Sequence, residues 1–108
     1  MPAVSSSVTI TIQTQLVWAC ARTSIGTVVA SCDPIGLTVE AENETELPNV
    51  IAEAQHELMV DLFEDGELPR FLQDRGWQSN RPLPPIMPEG GVKFDVPFRV
   101  EPATYGHP

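Results

Sequence analysis

Apolar residues fall on even positions from Val8 to Cys20: Val8, Ile10, Ile12, Leu16, Trp18 and Cys20. Thr9, Thr11, Gln13 and Gln15 take odd positions, with Val17 and Ala19 as apolar exceptions. A period of two with β-branched residues predicts one strand, half buried against a core. Ser24-Ile25-Gly26-Thr27 predicts a turn, and Val28 to Cys32 a second strand, antiparallel because the link is short. Asp33-Pro34-Ile35-Gly36 interrupts it. Leu37, Val39 and Ala41, alternating with Thr38, Glu40 and Glu42, predict a third strand.

The period changes at Thr45. Leu47, Ile51, Ala54, Leu58 and Leu62 recur at three- and four-residue steps, the signature of an amphipathic helix. Thr45 reads as its N-cap, Pro48 is tolerated in the first turn, and Gly66 ends it. Leu68 to Arg75 predicts a short second helix, closed by Gly76 and anchored by Phe71, Leu72 and Trp77. Four prolines between residues 78 and 91 predict an extended connector. Val92, Phe94, Val96, Phe98 and Val100 predict a last strand over 92–100, and Pro97 suits a sheet edge. Residues 101–108 read as a tail.

The expected organisation is one domain over 1–108: meander and main helix at 8–64, short helix at 67–77, connector at 78–91, then strand and tail. The fold class is α+β, a small mostly antiparallel sheet (β-β-β-α-β) with one main helix packed on one face.

Charge narrows the partners. Fifteen acidic residues against six basic ones give a net charge of −9. Binding to phosphate backbones needs a surplus of Lys and Arg, so direct DNA binding is not expected, and neither is an anionic membrane surface. An acidic domain is steered instead towards a basic partner. Residues 1–7 lack the basic and apolar regions of a signal peptide, and no long apolar run spans a membrane, so a cytoplasmic location is expected.

Gly26 to Leu58, GTVVASCDPIGLTVEAENETELPNVIAEAQHEL, resembles the N-terminal domain of the HicB antitoxin family. Ala30-Ser31-Cys32-Asp33-Pro34-Ile35-Gly36 matches that family's strand and Cys/Pro/Gly turn, and Glu42-Asn43-Glu44-Thr45 its turn and helix cap. Leu83-Pro84-Pro85 is similar to the segment that follows the helix. The likeness covers about half the chain strongly and the rest loosely, with moderately specific motifs. Asn43 stands where the family usually has Gly. The resemblance implies a partial RNase H-like unit without catalytic residues, which neutralises a small basic RNA-cleaving toxin protein by occlusion. It also implies a homo-oligomer. The family's second, DNA-binding domain is not expected here. The alternative is an orphan homo-oligomeric structural or ligand-binding domain of the same fold with no toxin partner.

Catalysis of the RNase H type needs acids converging on two metal ions, one from the first strand. Val8 to Cys20 contains no Asp or Glu, so no enzyme is expected. Glu53, Glu57, Asp61, Glu64 and Asp65 read as the solvated face of the main helix, and His56 as structural. A two-residue turn at Ile25-Gly26 would pair Cys20 with Ser31, sending Cys20 and Cys32 to opposite faces as free buried thiols; a one-residue slip or a bulge would put them opposite each other. No His/Cys cluster gives a metal site, Gly90-Gly91 lacks the helix of a phosphate loop, and Asn43-Glu44-Thr45 matches the glycosylation pattern by chance, so no cofactor is expected. The candidate partner-binding residues are Glu40, Glu42, Glu44 and Glu46, with Trp77 and Arg81 as an arm.

Overall fold

A computed structural model describes residues 8–12, 14–77 and 91–103. The chain is α+β, in the order β1 (Val8–Thr11), β2 (Leu16–Arg22), β3 (Val28–Cys32), β4 (Leu37–Ala41), α1 (Leu47–Glu64), α2 (Leu68–Asp74), β5 (Val92–Asp95) and β6 (Phe98–Pro102). A short 3-10 turn, Asp33–Ile35, joins β3 to β4. The strands form a four-stranded sheet, ordered β4-β3-β2-β6, and a two-stranded parallel sheet of β1 and β5.

The chain divides into two compact units interleaved along the sequence. One holds residues 15–55 and 98–108, hence the four-stranded sheet and the first half of α1; the other holds 1–14 and 56–97. In the first unit, β2–β3 and β3–β4 are antiparallel and β2–β6 is parallel. Alternation drives its core. Leu16 and Trp18, then Val28, Ala30 and Cys32, are buried on one face together with Leu47 and Ile51 of the helix. The indole Nε1–H of Trp18 donates to Gln55 Oε1 of α1 at 2.8 Å, so the helix lies on the even-numbered face of β2. In the second unit Ile10, Ile12, Met59, Leu68, Leu72, Val92 and Phe94 are buried. His56 and Phe63 of α1 both meet the Phe94 ring edge-on.

Three features depart from the sequence reading, each for a local reason. The expected strand 8–20 is two strands in different sheets, separated at residues 12–15. Four intervening residues preserve the even-position register, so Ile10, Ile12, Leu16 and Trp18 are all buried and the break is silent in the pattern. The last strand is likewise divided. Pro97 lies between β5 and β6 rather than within a ladder, consistent with its missing donor.

The hairpin register also differs. The Thr23 N–H donates to Thr27 O at 2.8 Å, which leaves a three-residue loop, Ser24-Ile25-Gly26, with Gly26 at φ +92°. That is the loop class that needs a left-handed residue before the second strand. An odd loop shifts pairing by one residue from the expected even one. Cys20 therefore pairs with Ala30, and Cys32 lies two residues along on the same face. Diagonal neighbours have Cβ atoms roughly 7 Å apart, whereas a disulfide needs about 4 Å, and both thiols are free. Cys20 is half-buried rather than buried; Cys32 is buried.

Candidate interaction surface

Glu40 sits on the exposed face of β4, which forms one edge of the four-stranded sheet. Its position follows from alternation: Val39 and Ala41 turn towards the helix and Thr38 and Glu40 away. The carboxylate is held by the Thr27 hydroxyl from β3's end of the hairpin, and Thr27 in turn hydrogen bonds Thr23 Oγ1 at 2.7 Å. Glu42 follows, fully outside the sheet and exposed.

The chain then enters the helix through a turn capped by Asn43, whose Oδ1 accepts the Glu46 N–H at 2.9 Å. This bond closes the turn that precedes Leu47, the stretch where the sequence predicts a cap at Thr45. The bond gives the Glu46 N–H, which precedes the helix, an acceptor in the turn. The Glu46 carbonyl accepts from Asn49 and Val50, so Glu46 begins the helical hydrogen-bond pattern. Glu44 forms an ion pair with Arg22 of β2 at 2.9 Å, with both side chains more than half exposed. Exposed pairs of this kind contribute roughly 0–1 kcal/mol and serve more to position charge than to stabilise.

Glu40, Glu42, Glu44 and Glu46 are thus gathered on one compact unit, all exposed, over one continuous stretch from β4 to α1. Trp77 belongs to the other unit. It is half-buried, edge-on to Phe71 with centroids 6.0 Å apart, and Arg75 lies 3.6 Å over the Phe71 ring. Trp77 closes α2 rather than projecting as part of an arm: its N–H donates to Leu72 O at 2.9 Å. Arg81, and the connector around it, lie outside the described residues. Arg22, Thr27 and Asn43 were missed by the sequence reading. Asn43 lies within the acidic run and its turn propensity is visible there, but Arg22 and Thr27 are brought to the glutamates only by the fold, Thr27 through the pairing of β3 with β4.

The remaining chemistry is sparse. Among the described residues, no group of three or more His, Cys, Asp or Glu could hold a metal ion. Burial pushes the Cys32 thiol above its ordinary value; the Asp33 charge acts in the same direction, and a hydrogen bond from the Ile35 backbone opposes it. Cys32 is therefore a protonated, shielded thiol rather than a nucleophile. A shallow hollow of about 490 Å³ lies on the open face of the four-stranded sheet, lined by Ala19, Ala21, Val29, Ser31 and Ala103 with Arg22 and Thr23 at one side. Its only charged group is the arginine already paired with Glu44. Gln55 is the one buried polar side chain among the described residues, and it is used by Trp18.

The chain matches no protein-family model, no curated protein and no solved structure. Among the described residues, no helix is long and apolar enough to cross a membrane.

Proposed function

We propose that this chain is a non-catalytic protein-binding domain resembling a HicB antitoxin, and that it neutralises a small basic RNA-cleaving toxin by covering it. The observation that carries the binding part is the exposed acidic run of Glu40, Glu42, Glu44 and Glu46, offset at Glu44 by Arg22. Such a surface attracts a basic protein, raises the encounter rate and repels acidic competitors. The toxin as partner comes from the resemblance of residues 26–58.

The test is co-expression with a basic companion of roughly 60–90 residues encoded beside this chain, about the size of one small domain. The two should co-purify at low salt, and the companion's ribonuclease activity should fall as this chain is added. Replacing all four glutamates by Gln should slow association by about tenfold or more at low ionic strength, and the difference should shrink as salt shortens the Debye length. A pair that fails to co-purify at low salt, or an inhibition indifferent to the four replacements, sinks this reading. An orphan homo-oligomer would instead self-associate without the companion.

A further inference from the structure

The two edges of the four-stranded sheet are treated differently. β6 carries the Arg99–Glu101 ion pair at 2.9 Å on its exposed face and ends at Pro102. Charged pairs and proline are the usual guards against an incoming strand. β4, at the opposite edge, has neither proline, lysine nor bulge, and its sequence is LTVEA. Its outer side has no strand beside it among the described residues. Leu37 and Val39, although on the helix-facing side, remain partly exposed, while Cys32 and Ala30 opposite them on β3 are buried. Among the described residues the edge thus lacks cover both for its backbone groups and for two apolar side chains.

We infer that the β4 edge, Leu37–Ala41, is a strand-addition site, and that its occupant is an extended segment of a basic protein with alternating apolar and Lys/Arg side chains. This rests on the proposed function and deepens it. In an antiparallel edge strand, alternate residues turn their N–H and C=O outwards, so about half of β4's backbone groups are available for a new ladder. The apolar residues of the added strand would cover Leu37 and Val39 on the helix side. The basic residues would meet Glu40 on the open side and Glu42 at the strand's end. Charge decides between occupants. Pairing β4 with β4 of a second copy would bring two sets of Glu40, Glu42, Glu44 and Glu46 together on a chain of net charge −9. A basic strand relieves that same concentration of charge. The glutamates therefore act as a guard against self-pairing and as a selector.

The experiment uses the full chain and synthetic peptides. The probes are an octapeptide alternating Val and Lys, the same peptide N-methylated on alternate backbone amides, a Val/Glu octapeptide, and oligolysine. The Val/Lys peptide should bind, protect the amides of Leu37–Ala41 from hydrogen exchange, and weaken by about tenfold or more on N-methylation along the pairing side, the loss expected from two backbone hydrogen bonds. The Val/Glu peptide should not bind. E40K/E42K should reverse that preference, with far-UV circular dichroism confirming an unchanged fold. If Val/Lys, N-methylated Val/Lys and oligolysine bind alike without protecting β4, strand addition is wrong while the acidic docking surface stands. If no basic peptide binds, both readings fail. If the chain alone dimerises with β4 protected, a second copy is the occupant and the basic partner is refuted.

Discussion

Replacing Gln55 by Met removes its hydrogen bond to Trp18 in the first unit and little volume. Trp18 is 0% and Gln55 2% exposed, and the bond between them is 2.8 Å long. With the amide gone, the indole N–H is left in an apolar core out of reach of water. An unsatisfied buried donor costs about 1–3 kcal/mol, more than the roughly 1 kcal/mol that a hydrogen bond contributes net. A chain of this size loses about 4 °C in Tm per kcal/mol, so the expected drop is about 4–12 °C. Trp18→Phe removes the donor instead, so that Gln55 Oε1 loses this bond, with a cavity penalty added.

The decisive quantity is the coupling. The double variant Trp18→Phe, Gln55→Met leaves neither group stranded, so it should be more stable than the sum of the two single changes by about 1–2 kcal/mol. Urea unfolding followed by circular dichroism measures all four corners of the cycle. A Gln55→Met cost below about 0.5 kcal/mol, or additivity across the cycle, would show that this bond does not hold helix to sheet. The two tryptophans offer a second readout, because Trp18 and Trp77 lie in different compact units. Helix α1 runs continuously through the boundary at residues 55 and 56. In the native chain, tryptophan fluorescence and far-UV circular dichroism should therefore report one shared midpoint rather than two.

The side-chain bond in the turn before α1 can be tested by substitution: Asn43→Ala should cost about 1 kcal/mol in urea unfolding, whereas Thr45→Ala should stay within about 0.5 kcal/mol. Gly26→Ala has open space for the added methyl but a φ of +92°, so it should destabilise by about 1 kcal/mol through backbone strain alone, read as a shift in urea midpoint without a change in m-value. Deleting Ser24, which makes the loop even, should instead scramble the sheet, read as lost amide protection in β3. Cys32 sets an alkaline limit. Its folded value lies above the ordinary 9.0, so the stability it contributes is complete below about pH 9 and falls as pH rises beyond it, because only the unfolded thiol then ionises. Urea midpoints at pH 7 and pH 10.5 should differ more for the native chain than for Cys32→Ala, and an equal slope in both would refute the assignment.

Periodicity reveals which residues are buried but not where a strand stops. Ile10, Ile12, Leu16 and Trp18 are buried, and so are Leu47 and Ile51 of the stripe in α1, although further along the helix Gln55 and Met59 are buried while Ala54, Leu58 and Leu62 are only half-buried, so the fold class and much of the core were legible. The division of the first and last strands was not. Residues 12–15 and 96–97 each preserve parity across the break, and only Pro97 leaves a mark. Parallel pairing of β1 with β5 and β2 with β6 is a non-local choice that alternation cannot encode. The cysteine geometry turned on whether the hairpin loop held two residues or three, a distinction that Ser24-Ile25-Gly26-Thr27 leaves open. Of the candidate surface, the four glutamates were legible because alternation and turn chemistry both send them outwards. Trp77 was legible as an anchor but not as a closing group for α2, since its contact with Phe71 depends on how the chain leaves the helix.

The acidic run also explains how an unguarded edge survives on this chain. A five-residue strand with two partly exposed apolar side chains is a template for pairing with its own copies. Lysine, proline or a bulge would block it, but they would equally block a partner. Negative charge is a guard of another kind, because it discriminates by sign rather than by shape. At about 8 Å separation in water two like charges repel by roughly 0.5 kcal/mol, so one pair is a weak guard and several converging pairs are a sufficient one. The same sum, reversed in sign, attracts a basic strand. Such a guard fades with salt, whereas the backbone pairing it regulates does not. High ionic strength should then favour self-pairing through β4 over capture of a basic segment, and the opposite trend in sedimentation at rising salt would separate the glutamates from any role at this edge.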